Sequence, residues 1–164
     1  VPDLAARSGL PVDDRGRLLV DATLRSADGA PVVGVGDAVA VPGQGHIRMS
    51  CQAAMPLGAH GADTAWAILA GEAPRPFSLG FVGQSMSLGR EAGLVQLSRR
   101  DDTPRGPALR GRVAATVKER VVRGTLWSLR RQAKGHDARW LPGPTAPAER
   151  SILEPAEPAP ELAS

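Results

Sequence analysis

Asp37 stands at the end of an otherwise apolar run, "APVVGVGDAV", between Gly36 and Ala38. A carboxylate released at the carboxyl end of a buried strand can accept hydrogen bonds from sugar-like hydroxyls, because ligands of α/β sheets bind in that crevice. Gly36 beside it would allow close backbone approach. The same residue type also serves as a helix cap or turn residue, and on pattern alone that role comes first. The spacing Gly34-x-Gly36-x-x-Val39 echoes a dinucleotide fingerprint, but the third glycine is missing and "AVAVP" follows in place of a helix. Other reactive residue types form weaker patterns. Cys51 with His46 or His60 has the composition of a thiolate and its base, yet a single Cys in an apolar helix reads as a small core residue. His46, His60 and His136 have no metal-ligand spacing with one another or with Cys51. The three methionines read as gap fillers.

These residues need elements to position them. "GRLLVDATL" (16–24) alternates as a strand, and "SADGAP" is a turn. Val32–Val35, short and β-branched, predicts a central parallel strand running into Gly36-Asp37. Residues 47–71 predict helix, interrupted early by Pro56 and Gly58, with a fresh start at Asp63 and a stop at Gly71. "FSLGFVGQSMSLGREAGLVQLSRR" (77–100) predicts three short strands in an antiparallel meander. A loop over 101–107 leads into a last helix from about Leu109 to Gln132. From Leu141 onward, six prolines among 24 residues predict disorder. No internal repeat is present.

Composition bounds the rest. The chain has 164 residues, 42% of them apolar, enough for one domain with a core. Two phenylalanines, three tryptophans and no tyrosine leave that core to Val, Leu, Ala and Gly. The start at Val1, without an initiator Met or a signal-peptide pattern, makes a fragment or processed product the expectation. No stretch reaches the about 18 uninterrupted apolar residues of a spanning helix. The lone Cys51 excludes an internal disulfide and fits a reducing, cytoplasmic setting. Charge is uneven. Residues 1–89 hold six arginines against eight acids, whereas residues 90–140 hold 13 basic residues against five acids. The basic segment makes a membrane-surface or nucleic-acid-binding module without enzymatic activity the alternative to an enzyme, but it carries no recognition motif or stacking aromatic series, so no nucleic acid partner is expected. Its helix places Val113, Val117, Val121, Val122, Leu126 and Leu129 on a broad apolar arc. That arc either packs on the domain or lies on an anionic membrane surface with Trp127 near the headgroups.

The succession "LLVDATLRSADGAPVVGVGDAV", then "SCQAAMPLG", then Gly-spaced strands and a terminal helix resembles the C-terminal part of FAD-dependent pyridine nucleotide oxidoreductases, nearest to the type II, non-proton-pumping NADH dehydrogenases. The resemblance implies an α/β fold. Residues 1–76 would be the C-terminal portion of a Rossmann-like FAD-binding domain. Residues 77–140 would be a small antiparallel β meander and a basic, amphipathic C-terminal helix, and 141–164 a disordered tail. It implies that Gly36-Asp37 holds a ribityl hydroxyl of FAD, and that Gln52 with the amides of Ala53 and Ala54 faces the pyrimidine edge. NAD(P)H would be the co-substrate, bound by a domain this chain does not show, and a quinone or other molecule the acceptor. The family's Ala-Gln-x-x-x-Gln is here Cys51-Gln52-Ala53-Ala54-Met55-Pro56, so the first Ala and the second Gln are replaced. Its further partners would be the remainder of the FAD and NAD(P)H domains and, through residues 109–132, a peripheral membrane surface. The isolated chain is expected to be inactive, with half of the cofactor site missing.

Overall fold

The computed structural model describes residues 3–144. It is a mixed α/β structure with two long helices, a three-stranded antiparallel sheet and a two-stranded parallel pair. A single turn α1 (Leu4–Arg7) precedes β1 (Leu18–Leu19), which pairs in parallel with β2 (Val39–Ala40), Leu18 opposite Val39. Helix α2 (Cys51–Ala70) follows, then β3 (Gly83–Ser87), β4 (Gly93–Leu97), β5 (Leu109–Arg110) and helix α3 (Gly111–Gln132). In the larger sheet β4 is central, with Ser85 opposite Val95 and Leu109 on the other side of Val95.

The parallel element is not where the apolar run predicted it. Val32–Val35 folds back antiparallel on residues 24–26: Ser26 N donates to Val32 O at 2.9 Å and Gly34 N to Leu24 O at 2.9 Å. The Asp28-Gly29 turn makes this local return short, so the central strand reduces to one Arg25–Val33 bridge. The strand over 16–24 is cut in the same way. Asp21 Oδ1 accepts from the Thr23 and Arg25 amides at 2.8 and 3.0 Å, which turns the chain after Val20.

Phe77, Leu79 and Phe81 alternate inward as a strand would, and all three are buried, but no strand pairs with them. Loop backbone and side chains do that work: Phe77 N donates to Ala22 O at 2.7 Å and Phe81 N to Arg100 O at 3.0 Å. Gln44 donates from Nε2 to Phe77 O at 2.7 Å and accepts from Leu79 N at 3.1 Å. His46 Nε2 donates to Leu79 O at 2.8 Å. The meander therefore takes its third strand from Leu109–Arg110, beyond the loop. These three side chains join Leu18, Val20, Leu24, Val39, Ala53 and Leu57 in one core.

Helix α2 runs through Pro56 and Gly58 without a break. Pro56 lies in its second turn and forfeits one bond to Gln52 O, a loss offset by burial of Pro56, Leu57, His60, Gly61 and Thr64 on one side. Gly71 ends it as predicted, with φ 74°. Helix α3 starts at Gly111, two residues after the expected point, because Leu109 and Arg110 pair with β4. The expected disorder from Leu141 does not hold for the first residues: Leu141 O accepts from Gly80 N at 2.8 Å, and Gly143 N donates to Ser78 Oγ at 2.9 Å. Residues 145–164, the rest of that expected tail, lie outside the described residues. Among the described residues, no helix is long and apolar enough to cross a membrane.

Candidate functional site

Gly36-Asp37-Ala38 forms a 3-10 turn between the extended Val35 and β2. Gly36 has φ 71°, a left-handed conformation that glycine adopts without the Cβ penalty. Val35, just before it, is seated against α2 at Gly61, where an added Cβ would collide with its Cγ1. The close approach brings the Asp37 turn to the start of the helix.

Asp37 and the helix start are joined directly. Ser50 caps α2, its Oγ accepting from Ala53 N at 3.2 Å. In a capping box the residue three along the helix returns a carboxylate to the cap's own amide; that position here is Ala53, which cannot. Asp37 supplies the carboxylate from another part of the chain, its Oδ1 accepting from Ser50 N at 3.0 Å. The cap role raised by the sequence pattern is thus present, in a long-range form. Asp37 is exposed, and among the described residues its Oδ2 takes no hydrogen bond.

The amides of Ala53 and Ala54 both bond to Ser50 O, at 3.0 and 2.8 Å. Among the described residues no acceptor meets the amides of Cys51 and Gln52, which are the open donors of the first turn. Ala53 is fully buried and Gln52 half-buried. Gly36 and Asp37 thus adjoin the first turn of α2, where Asp37 Oδ2 and the Cys51 and Gln52 amides are the open polar groups, while the Ala53 and Ala54 amides expected at a ring edge are taken up by Ser50 O.

Among the described residues the thiolate pattern finds no base, and Cys51 is not the small core residue expected of it, because the first turn of α2 turns it outward. Cys51 is exposed, and His46 and His60 each donate to a main-chain carbonyl at 2.8 Å, Leu79 O and Arg75 O. His60 is also buried edge-on to Phe77 and Trp140. No group of His, Cys, Asp and Glu among the described residues is placed to hold a metal ion.

Two cavities flank α2. One, of about 570 Å³, lies between its first turns, the β3-β4 face and α3, and is walled mainly by apolar groups such as Met55, Val82, Val95, Val117 and Val121. The other, of about 1010 Å³, is polar and includes His60, Asp63, Glu72, Arg75, His136 and Asp137. Sequence patterns missed the residues that hold the first cavity's rim together. Arg48 reaches Asp102 at 2.6 Å and Gly83 O at 3.1 Å, with its guanidinium 4.4 Å from the Phe81 ring centre. No local spacing pairs residues 54 positions apart. The chain matches no protein-family model and no curated protein.

Proposed function

We propose that this chain is the C-terminal part of a flavoprotein oxidoreductase, in which residues 1–76 complete a Rossmann-like FAD-binding domain. The observation that carries this reading is the junction of Asp37 with the N-terminus of α2. Asp37 is fixed through Oδ1 by Ser50 N and keeps Oδ2 open to accept from a ribityl hydroxyl. The unpaired Cys51 and Gln52 amides, at the positive end of a 20-residue helix, favour negative charge on a bound group. These residue types fit the sugar-alcohol and ring-edge portions of FAD. When bound, FAD supplies the redox chemistry, taking a hydride from NAD(P)H and passing electrons to a quinone or other acceptor. The chain's own part is to orient and to polarise. No side chain here is assigned proton abstraction.

The test is the flavin absorbance of the protein purified with a glycine-rich βαβ segment placed before Val1. The wild type retains FAD, and Asp37→Ala weakens retention about ten-fold, the loss of one charge-assisted bond. Retention of FAD by Asp37→Ala at the wild-type level removes Asp37 from the site.

A second reading concerns α3. Val122, Leu126, Trp127 and Leu129 are 46–61% exposed, beside Arg120, Arg123 and Arg130. Exposed apolar groups flanked by cations suit the surface of an anionic membrane. Co-sedimentation with anionic vesicles, with and without residues 109–164, tests it; equal binding removes the helix from consideration.

A further inference from the structure

The 570 Å³ cavity has a charge pattern that its apolar walls do not require. Arg48, Lys118 and Arg139 line it, and among the described residues no Asp or Glu does. Arg48 is already neutralised by Asp102. Lys118 and Arg139 are not: among the described residues neither has a carboxylate within ion-pair distance. The polar cavity on the other side of α2 mixes both signs, lined by Asp63, Glu72 and Asp137 together with Arg75 and with Arg139, which borders both cavities. The apolar cavity is thus cationic by composition, in addition to being of ligand size.

We propose that this cavity binds a single-chain amphipathic anion, an alkyl carboxylate, with its chain among Met55, Val82, Val95, Val117 and Val121 and its head at Lys118 and Arg139. Two physical conditions select that class. An apolar wall stabilises a ligand in proportion to the apolar area it removes from water, about three- to four-fold in affinity per methylene. A rim with two unpaired cations favours a negative head and opposes a positive one. The inference does not rest on the flavin reading: Asp37 lies outside the lining, and Ser50, Cys51 and Gln52, which border the cavity at the start of α2, supply neither of the two cations.

The experiment is competition for the chain against 11-(dansylamino)undecanoic acid, a fluorescent alkyl carboxylate, below micelle-forming concentrations. Dodecanoate, dodecanol and dodecyltrimethylammonium share one chain and differ in head charge. Dodecanoate displaces the probe about ten-fold more strongly than the cation, and decanoate displaces it about ten-fold less strongly than dodecanoate. The double variant K118A/R139A abolishes the preference for the anion without disturbing a buried residue. Val121→Trp, at a residue 45% exposed and able to accept the larger ring, fills the cavity and weakens all three ligands. Equal displacement by the cation, or an undiminished anion preference in K118A/R139A, overturns the proposal. So does loss of binding in Val122→Asp combined with full binding in Val121→Trp, which places the ligand on the outer face of α3.

Discussion

Helices α2 and α3 are nearly equal in length, 20 and 22 residues, and are held in opposite ways. Helix α2 buries six residues, including Leu57 at 1% exposure, and carries a cap at each end. Ser50 and Asp37 cap the first; at the second, Glu72 N donates to Ala67 O at 2.8 Å and Gly71 N to Ile68 O at 3.1 Å, a paired closure of the last carbonyls. Helix α3 buries Ala114 and has no side-chain cap at Arg110. It relies on local terms: a Glu119–Arg123 pair at 2.9 Å, the Arg131 guanidinium 5.0 Å from the Trp127 ring centre, and two arginines near its negative end. Apolar residues at helical spacing define a face, while burial needs a second surface. For α2 that surface is the core; for α3 the β3-β4 sheet covers only part of the arc.

The comparison can be broken most forcefully in the core. Leu57→Ala should cost about 2–5 kcal/mol in chemical denaturation, because its site is closed on every side. Leu126→Ala, at 52% exposure on α3, should stay within about 0.5 kcal/mol. Comparable losses at the two sites would show that α3's outer face is packed in solution. Next in size, Gln44→Ala should cost about 2–3 kcal/mol, since Phe77 O and Leu79 N lose their partner beside the core. Ser50→Ala should cost about 1 kcal/mol and speed amide exchange in the first turn of α2. Exchange across α3 should be faster than in the middle of α2 in the wild type, a direct test of which helix opens first.

The smallest effect is a pH dependence near β1. Burial alone would raise the Asp13 pKa, but the Arg17 backbone and side chain, with the Arg15 amide, hold it below the ordinary carboxylate value. Its folded pKa is thus below its unfolded one. The stabilisation is present above the unfolded pKa, near 3.8, and is lost as pH falls through the lower folded value. Asp13→Asn should flatten that acid limb by about 0.5–1 kcal/mol in unfolding midpoints measured between neutral and acid pH.

Much of this was legible where signals are local. Gly71 marks the end of α2 because glycine takes the left-handed position there. Gln132 marks the end of α3, and Asp101–Pro107 the loop before it. Gly36-Asp37 and Gln52-Ala53-Ala54 stood out in the sequence as motifs, but not the bond from Ser50 N to Asp37 nor the return of the Ala53 and Ala54 amides to Ser50 O. What misled were alternating stretches whose partners lie far away. Phe77–Phe81 reads as a strand, yet its backbone is satisfied by the Gln44 and His46 side chains and by single carbonyls of Ala22, Arg100 and Leu141. Val32–Val35 reads as a central strand, yet the Asp28-Gly29 turn folds it onto its own neighbour. Pro56 reads as a break, yet six buried contact positions keep α2 continuous.

By itself, the sequence determined the helical stop at Gly71, the amphipathic basic helix, the uneven charge and the placing of one acid after Gly36. Each depends on residues within a few positions of one another, where backbone geometry is short-ranged. The fold alone brings Asp37 to Ser50, spends Arg48 on Asp102, and lines one cavity with Lys118, Arg139 and, among the described residues, no carboxylate. Those relations join residues far apart in the chain, and which of them meet is set by how the core closes.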